Sequence, residues 1–235
     1  MGHTVHGRPG TPGALRSEGL EPMAVPQHTP VSRTAAYLAA PLWAAQALVW
    51  TIAPKVQEQS PPYRITDVPL FELFWLSVAA AVGLSATAAL AMPAHLGTRP
   101  TRLFRAGSML ARIAVGLAVV AALSAALAPV RSLQEPALTI MTNALYGAML
   151  LLAAGLTAYA VAVRDAGRAS GAAAKLPTVL AVLTVVTIVA ILASGTSSTA
   201  GLYLAVAVVV LAGIAWFAWG NALAGTRPRP VPAPA

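Results

Sequence analysis

Six long stretches of the chain are almost wholly apolar, and short polar segments separate them. The stretches are Thr34–Ala53, Leu70–Ala91, Gly107–Ala128, Leu138–Val163, Leu176–Ser194 and Ala200–Leu223. Each is close to the roughly 20 residues that a helix needs to cross a hydrocarbon layer. A membrane-spanning barrel strand would instead alternate apolar and polar residues over about ten positions. The pattern therefore predicts an all-α fold class, a polytopic transmembrane bundle of six spans.

The two ends of the chain show no apolar periodicity. Residues 1–33 are rich in glycine, proline and histidine, and residues 224–235 are rich in proline. Such segments bury too little apolar surface to offset the entropy of ordering, so we expect both to be disordered tails. The first tail lacks the apolar region of a secretory signal peptide. Met23 is a second possible start of translation.

Only residues 195–199 separate the last two stretches. Their glycine and small hydroxyl side chains suit a tight turn between antiparallel helices, which favours two complete spans. A re-entrant segment in place of one of these two spans, leaving five in all, is the alternative.

The basic residues between the spans predict the orientation of the bundle. With the N-terminus inside, twelve of the fifteen lysines and arginines lie on the cytoplasmic side, and Lys55, Arg64 and Arg131 lie outside. The positive-inside rule therefore places both termini in the cytoplasm. Trp50, Trp75, Trp216 and Trp219 lie near span ends, where the sequence predicts interfacial anchors.

Composition agrees with a membrane protein and narrows the class. Of the 235 residues, 57% are hydrophobic and 9% are charged, whereas soluble domains have about 25% charged residues. The net charge of +8 is dispersed between apolar runs, so it indicates contact with the lipid bilayer rather than with nucleic acid. The abundance of arginine and alanine suggests a bacterial origin, and hence the plasma membrane.

Two carboxylates flank the outer start of the second span. Asp67 and Glu72 lie five positions apart, after a polar outer loop. Paired carboxylates in an apolar setting can share a proton and act as an acid, which makes them catalytic candidates if the protein is an enzyme. The competing interpretation is a solvated loop charge and a carboxylate that favours a helix N-terminus.

Three uncharged polar residues are candidates for substrate binding. Gln46 lies in the first span and Asn143 in the fourth, and Tyr146 follows Asn143 by three residues on the same helical face. Amides at this depth either line a polar cavity or hydrogen-bond between helices, and the second use is common.

No cofactor or metal site is indicated. Cysteine is absent, and His95 is the single histidine outside the N-terminal tail. A haem-binding bundle needs two facing histidines, and zinc needs several ligands. Phosphate-binding loops and nucleophile motifs are absent from the sequence as well.

Two partial resemblances suggest what the protein could do. The six-span layout with a basic segment at 94–105 resembles permease subunits of two-component ABC exporters, which implies an ATPase or another membrane subunit as partner. The acidic outer start of the second span resembles small membrane-bound terpene cyclases, which implies acid chemistry by Glu72 and Asp67 on an isoprenoid or lipid. Those permeases usually have an amphipathic helix before the first span, and the cyclases usually have seven helices and a second acid late in the chain. This sequence shows none of these features, so no family is assigned.

Because ionisable groups are scarce within the spans, we expect a non-enzymatic component. The leading hypothesis is a permease-like or accessory membrane protein that handles a small or lipophilic molecule. The alternative is an intramembrane enzyme.

Overall fold

The described part of the chain folds into helices. The computed structural model describes residues 29–52, 65, 67–96, 101–166, 172–194 and 199–225. Within them lie α1 (Thr29–Ile52), α2 (Val68–Ala89), α3 (Met92–His95), α4 (Arg102–Leu127), α5 (Gln134–Asp165), α6 (Ala172–Ser194) and α7 (Thr199–Gly225). The two predicted tails lie outside these residues, except for residues 29–33 at the start of α1 and 224–225 at the end of α7.

The predicted transmembrane fold is confirmed in its class. Five segments are long and apolar enough to cross a membrane: α2 together with α3, and α4, α5, α6 and α7. The sixth long helix, α1, has 24 residues and contains Pro41 and Gln46. Both α6 and α7 are full-length helices, with 23 and 27 residues, as expected of two complete spans.

The helices differ from the predicted spans mainly at their ends. α1 begins at Thr29 rather than Thr34, because a helix continues past the hydrocarbon layer wherever its backbone hydrogen bonds can still form. α2 ends at Ala89, ahead of the predicted end at Ala91. Pro93 has no N–H to donate to the carbonyl of Ala89, so the helix stops and the short α3 begins after a turn.

The six long helices form a closed ring. α1 packs against α2, α2 against α4, α4 against α5, α5 against α6, α6 against α7, and α7 closes the ring against α1. α2 and α5 also contact each other, which places α4 outside the gap between them. The five remaining helices, α1, α2, α5, α6 and α7, surround the interior.

Large apolar side chains cover the outside of the ring. Leu123, Leu211 and Ile214 are 61%, 50% and 61% exposed. Water-soluble monomers rarely expose contiguous apolar surface of this kind. An outer surface of leucine, valine and isoleucine is what a hydrocarbon solvent requires.

Glycine allows α4 and α5 to approach closely. A Cβ atom added to Gly107 would lie 2.6 Å from the Tyr159 ring and 3.0 Å from the carbonyl oxygen of Gly155. Small residues at such crossings let helices gain van der Waals contact in lipid, where the hydrophobic effect contributes little. The crossing also buries Tyr159 completely, and its hydroxyl lies 3.0 Å from that of Ser108.

The prediction that the tryptophans are interfacial anchors is wrong for Trp216 and Trp219, and the side chain of Trp50 lies outside the described residues. Trp216 and Trp219 are 2% and 0% exposed and lie inside the ring. The Trp219 indole nitrogen donates to the carbonyl oxygen of Ala88 at 3.1 Å, and its ring meets that of His95 edge to face at 5.0 Å. Ala36 and Ala39 of α1 are fully buried in the same hydrophobic cluster as these two rings.

Candidate ligand-binding cavity

A cavity lies inside the ring, at the end where α1 and α6 finish and α2, α5 and α7 begin. Its walls are formed by Trp43, Gln46, Phe74, Trp75, Val78, Thr142, Leu145, Tyr146, Met149, Thr187, Ala190, Ile191, Ala205 and Val209. These residues come from all five helices that surround the interior. The centre of a water molecule can occupy about 40 Å³ of the cavity, against the roughly 10–15 Å³ that one water needs. The space therefore accepts a small molecule or part of a slender one.

Gln46 is the most buried polar side chain in the cavity wall, with 1% exposure. Its Nε2 donates to the Ser77 hydroxyl oxygen at 2.5 Å, and the Ser77 hydroxyl donates to the carbonyl oxygen of Phe74 at 2.8 Å. Because that hydroxyl proton is already used, Ser77 accepts from the amide nitrogen, which fixes the orientation of the amide. Gln46 Oε1 is left buried without a hydrogen-bond partner among the described residues.

Trp75 presents a second unpaired polar atom in the same wall. Its indole Nε1 is buried and has no hydrogen-bond partner within the described part of the chain. Its ring packs edge to face on Phe74, with ring centres 4.9 Å apart. The neighbouring wall residue Trp43 differs, since its indole nitrogen donates to the Ser85 hydroxyl at 3.0 Å. Two residues of the wall thus carry a buried polar atom that lacks a partner among the described residues, and almost none of the surface of either atom is accessible.

The rest of the wall is largely apolar. Tyr146 is half-buried and lines the cavity, whereas the Thr187 hydroxyl donates to the carbonyl oxygen of Leu183 at 2.7 Å and so satisfies itself within α6. Within the described residues, the wall includes no charged side chain. Such a site selects for a ligand that is mostly hydrocarbon and carries few polar groups.

The structure brings together two of the three residues predicted to bind substrate. Gln46 on α1 and Tyr146 on α5 line one cavity, although a hundred residues separate them in the sequence. Asn143 lies three residues before Tyr146 but is exposed on α5, and it is not part of the described cavity wall. Asn143 and Tyr146 lie on the same side of α5, but Asn143 lies at the outer edge of that side, away from the cavity.

The two predicted catalytic carboxylates lie on the first turns of α2. Asp67 is exposed and caps the helix, since its side chain accepts from the backbone N–H of Leu70 at 3.0 Å. This is the ordinary use of aspartate before a helix. Glu72 is partly buried one turn further along. Neither carboxylate belongs to the described wall of the cavity.

Sequence reasoning treated Trp75 as a membrane-interface residue, and it did not single out Trp43 or Ser77. The signal available was the spacing of Trp43 and Gln46, which lie three positions apart and therefore on one helical face. Nothing in the sequence indicates that Ser77 faces Gln46, because that contact depends on how α1 and α2 pack.

The described residues do not form a recognisable metal site. No group of three or more histidine, aspartate or glutamate side chains lies close enough there to hold an ion. His95 packs on Trp219, and its Nδ1 is buried without a hydrogen-bond partner among the described residues.

Comparison with known protein families, with curated proteins and with solved structures gives no match. The fold class, a helical bundle with five or six membrane-length helices, therefore rests on the chain's own sequence and structure. The same is true of the cavity.

Proposed function

We propose that this protein is a multi-pass component of a bacterial plasma membrane that binds a small or lipophilic molecule in the cavity. It acts as a permease-like or accessory protein rather than as an enzyme. The observation that carries the proposal is the cavity itself, an apolar space between five helices that is large enough for more than one water molecule.

The proposed orientation has the N- and C-termini in the cytoplasm. In the described structure, Arg33 lies near the start of α1, Arg102 and Arg105 near the start of α4, and Arg164 in the last turn of α5; all are exposed. In a ring of antiparallel neighbours these positions share one end, so the positive-inside rule supports placing that end in the cytoplasm. The cavity then lies in the outer half of the membrane.

The enzyme hypothesis draws less support from the geometry. Acid catalysis requires a carboxylate within hydrogen-bonding reach of the substrate. Asp67 is engaged as a helix cap, and Glu72 is not among the described residues of the cavity wall.

The proposal is tested by measuring how bromohexane, a small heavy-atom quencher, affects the tryptophan fluorescence of the full chain in lipid nanodiscs. Trp43 and Trp75 line the cavity, so binding there gives saturable quenching above the linear quenching caused by partition into lipid. The variant Ala205→Phe fills the cavity and is expected to abolish the saturable part. Leu204→Phe adds similar bulk at a position that is 50% exposed on the same helix, and it is expected to leave the quenching unchanged.

Equal quenching of the wild type and Ala205→Phe would overturn the cavity-binding proposal. Chemical conversion is checked separately, by incubating nanodiscs with membrane lipid extract and analysing it by mass spectrometry. A product formed only with the wild-type protein, and lost in Glu72→Gln, would favour the enzyme.

A further inference from the structure

We infer that the outer face of α4 binds the headgroup of an anionic phospholipid, whose phosphate is held by Arg105 and Arg112. This face lies on the lipid side of the ring, at the end where α4 begins and α5 ends. The site is separate from the cavity, because neither arginine is among the described residues of the cavity wall. Binding of lipid here therefore does not depend on binding of a ligand there.

Three arginines lie on one side of α4. Arg102, Arg105 and Arg112 are all exposed, and the helical repeat places them within about 80° of one another around the axis. Arg112 follows Arg105 by seven residues, or about 10 Å along the axis, so it lies well inside the apolar part of the helix. Apolar side chains on the same side are exposed as well, since Met109 and Leu123 are 64% and 61% exposed. Positive charge is thus set into a surface that contacts lipid.

The described part of the protein offers these arginines little opposite charge. α4 itself contains no acidic residue. Asp67, Glu72 and Glu135 lie at the other end of the ring, where α2 and α5 begin. Asp165, the last residue of α5, lies at the arginine end, but among the described residues it forms no ion pair with α4. Because a charge that faces hydrocarbon is costly without a counter-charge, we expect the lipid to supply the negative group.

The direction of the Arg112 side chain favours contact with a headgroup. Helical side chains lean towards the N-terminus of their own helix, so the Arg112 stem leads back towards Arg105 and the membrane surface. The Arg112 charge acts on the hydroxyl of Tyr159 on α5, and this hydroxyl lies 3.0 Å from that of Ser108. Ser108 lies between the two arginines along α4. The phosphate site therefore follows the crossing of α4 and α5.

Gly116 leaves Arg112 uncovered. It follows Arg112 by one turn and is exposed, and a Cβ atom added to it would meet no atom within 4 Å. A side chain at this position would lean towards the N-terminus and over Arg112. The absence of a side chain keeps the guanidinium open to a lipid molecule.

The charge of the site selects the class of lipid. A guanidinium binds phosphate oxygens through paired N–H donors, and every phospholipid has a phosphate. A zwitterionic headgroup would also bring a cation next to the arginines, whereas a headgroup of net negative charge would not. Basic sites at this level of a membrane protein commonly bind anionic headgroups. The site is therefore expected to prefer phosphatidylglycerol to phosphatidylcholine.

The test is native mass spectrometry of the full chain in a non-ionic detergent, titrated with phosphatidylglycerol or phosphatidylcholine of identical acyl chains. The first phosphatidylglycerol is expected to bind about 25-fold more tightly than the first phosphatidylcholine. This factor corresponds to about fivefold for each of two arginines that contact an anionic headgroup.

Arg105→Gln and Arg112→Gln are each expected to lower the affinity for phosphatidylglycerol about fivefold, and the double variant is expected to remove the preference. Arg112→Lys keeps the charge and is expected to keep most of the preference, which separates a loss of binding from a loss of folding. The matched control is Arg131→Gln, because Arg131 is an exposed arginine in the turn that follows the opposite end of α4. It is expected to bind phosphatidylglycerol as the wild type does.

Four results would overturn the inference. Equal affinities for the two lipids would do so, and so would a preference that survives in the double variant. An equal loss in Arg131→Gln would show that the attraction is spread over the whole protein. Displacement of the lipid by an equal concentration of glycerol 3-phosphate would indicate a site for a soluble phosphate ester instead. Ala205→Phe, which fills the cavity, is expected to keep the preference, and its loss there would place the lipid in the cavity.

Discussion

The two halves of the helix ring are built differently. The packed half, where α2 and α7 end, is filled by Met92, Leu156, Tyr159, Trp216 and Trp219, each with at most 2% exposure. The cavity half, where α2 and α7 begin, contains the cavity and the unpaired atoms of Gln46 and Trp75. Since the same helices run through both halves, the difference comes from the side chains.

α7 illustrates the contrast along a single helix. In the packed half it contributes Trp216 and Trp219, and in the cavity half it contributes Ala205 and Val209. The Trp219 indole nitrogen is paired with the carbonyl oxygen of Ala88, whereas that of Trp75 has no partner in the described structure. The packed half follows the rules for a stable interior, and the cavity half departs from them. Departures from these rules are expected at sites where a protein binds a ligand.

The packed half also contains an exception. His95 Nδ1 is buried and unpaired among the described residues, although the ring itself packs on Trp219. His95 is not among the residues that line the cavity. Both halves thus contain a buried polar atom without a described partner, and the feature that distinguishes the cavity half is the cavity.

The largest expected loss of stability comes from removing a tryptophan, and it should differ between Trp219 in the packed half and Trp75 in the cavity half. Trp219→Ala is expected to lower the free energy of unfolding by about 3–5 kcal/mol, because it removes a fully buried ring and its hydrogen bond. Trp75→Ala is expected to lower it by about 1–2 kcal/mol, because this ring is only partly buried and loses no indole hydrogen bond. Unfolding by denaturing detergent, followed by circular dichroism, measures both values. Equal losses would show that the halves are packed alike.

Replacing an alanine of α7 by a larger residue compares the two halves by filling space rather than by creating it. Ala215→Phe, in the packed half, is expected to cost about 1–3 kcal/mol of stability through overpacking. Ala205→Phe places the same ring beside free space and is expected to cost less than 1 kcal/mol. The same unfolding measurement applies. A larger loss for Ala205→Phe would contradict the presence of a cavity at that position.

Substitutions that remove polar side-chain atoms are expected to change the stability by a smaller amount, and to affect it differently at Trp43 and at Gln46. Trp43→Phe breaks the hydrogen bond to Ser85 and is expected to destabilise the protein by about 1 kcal/mol. Gln46→Met removes the unpaired acceptor and also the hydrogen bond from Nε2 to Ser77. The gain and the loss offset each other, so ligand-free stability is expected to change by less than about 1 kcal/mol. Destabilisation by Gln46→Met as large as that by Trp43→Phe would argue that Gln46 is mainly a packing contact.

The smallest expected effect belongs to the carboxylates of α2. Glu72→Gln is expected to change neither the stability of the cavity half nor its affinity for bromohexane, because Glu72 is not part of the described wall. Quenching of tryptophan fluorescence measures the affinity, with Asp67→Asn as the companion variant. A change in affinity of more than threefold for Glu72→Gln, but not for Asp67→Asn, would show that the Glu72 side chain influences binding in the cavity.

The fold could be predicted from the sequence because its cause is local. Each apolar run has to satisfy its own backbone hydrogen bonds in lipid, and the helix is the solution that a single segment provides. The helix ends were less accurate, since they depend on particular residues such as Pro93, which stops α2. The burial of Trp216 and Trp219 was missed because membrane-interface and interior positions of tryptophan look alike in a single sequence.

The candidate site could be predicted only in part. Gln46 and Tyr146 stood out as polar residues within apolar runs, and both line the cavity. Asn143 stood out for the same reason and lies elsewhere. The roles of Trp75 and Ser77 depend on contacts between α1 and α2, which follow from the packing of the ring rather than from the composition of either helix.

The most direct test of the difference between the two halves is a crystallographic measurement of the full chain soaked with bromohexane, using the anomalous signal of bromine. The account predicts one ordered bromine in the cavity. A cavity that is closed by side chains, or bromine found only on the outer surface of the ring, would contradict it.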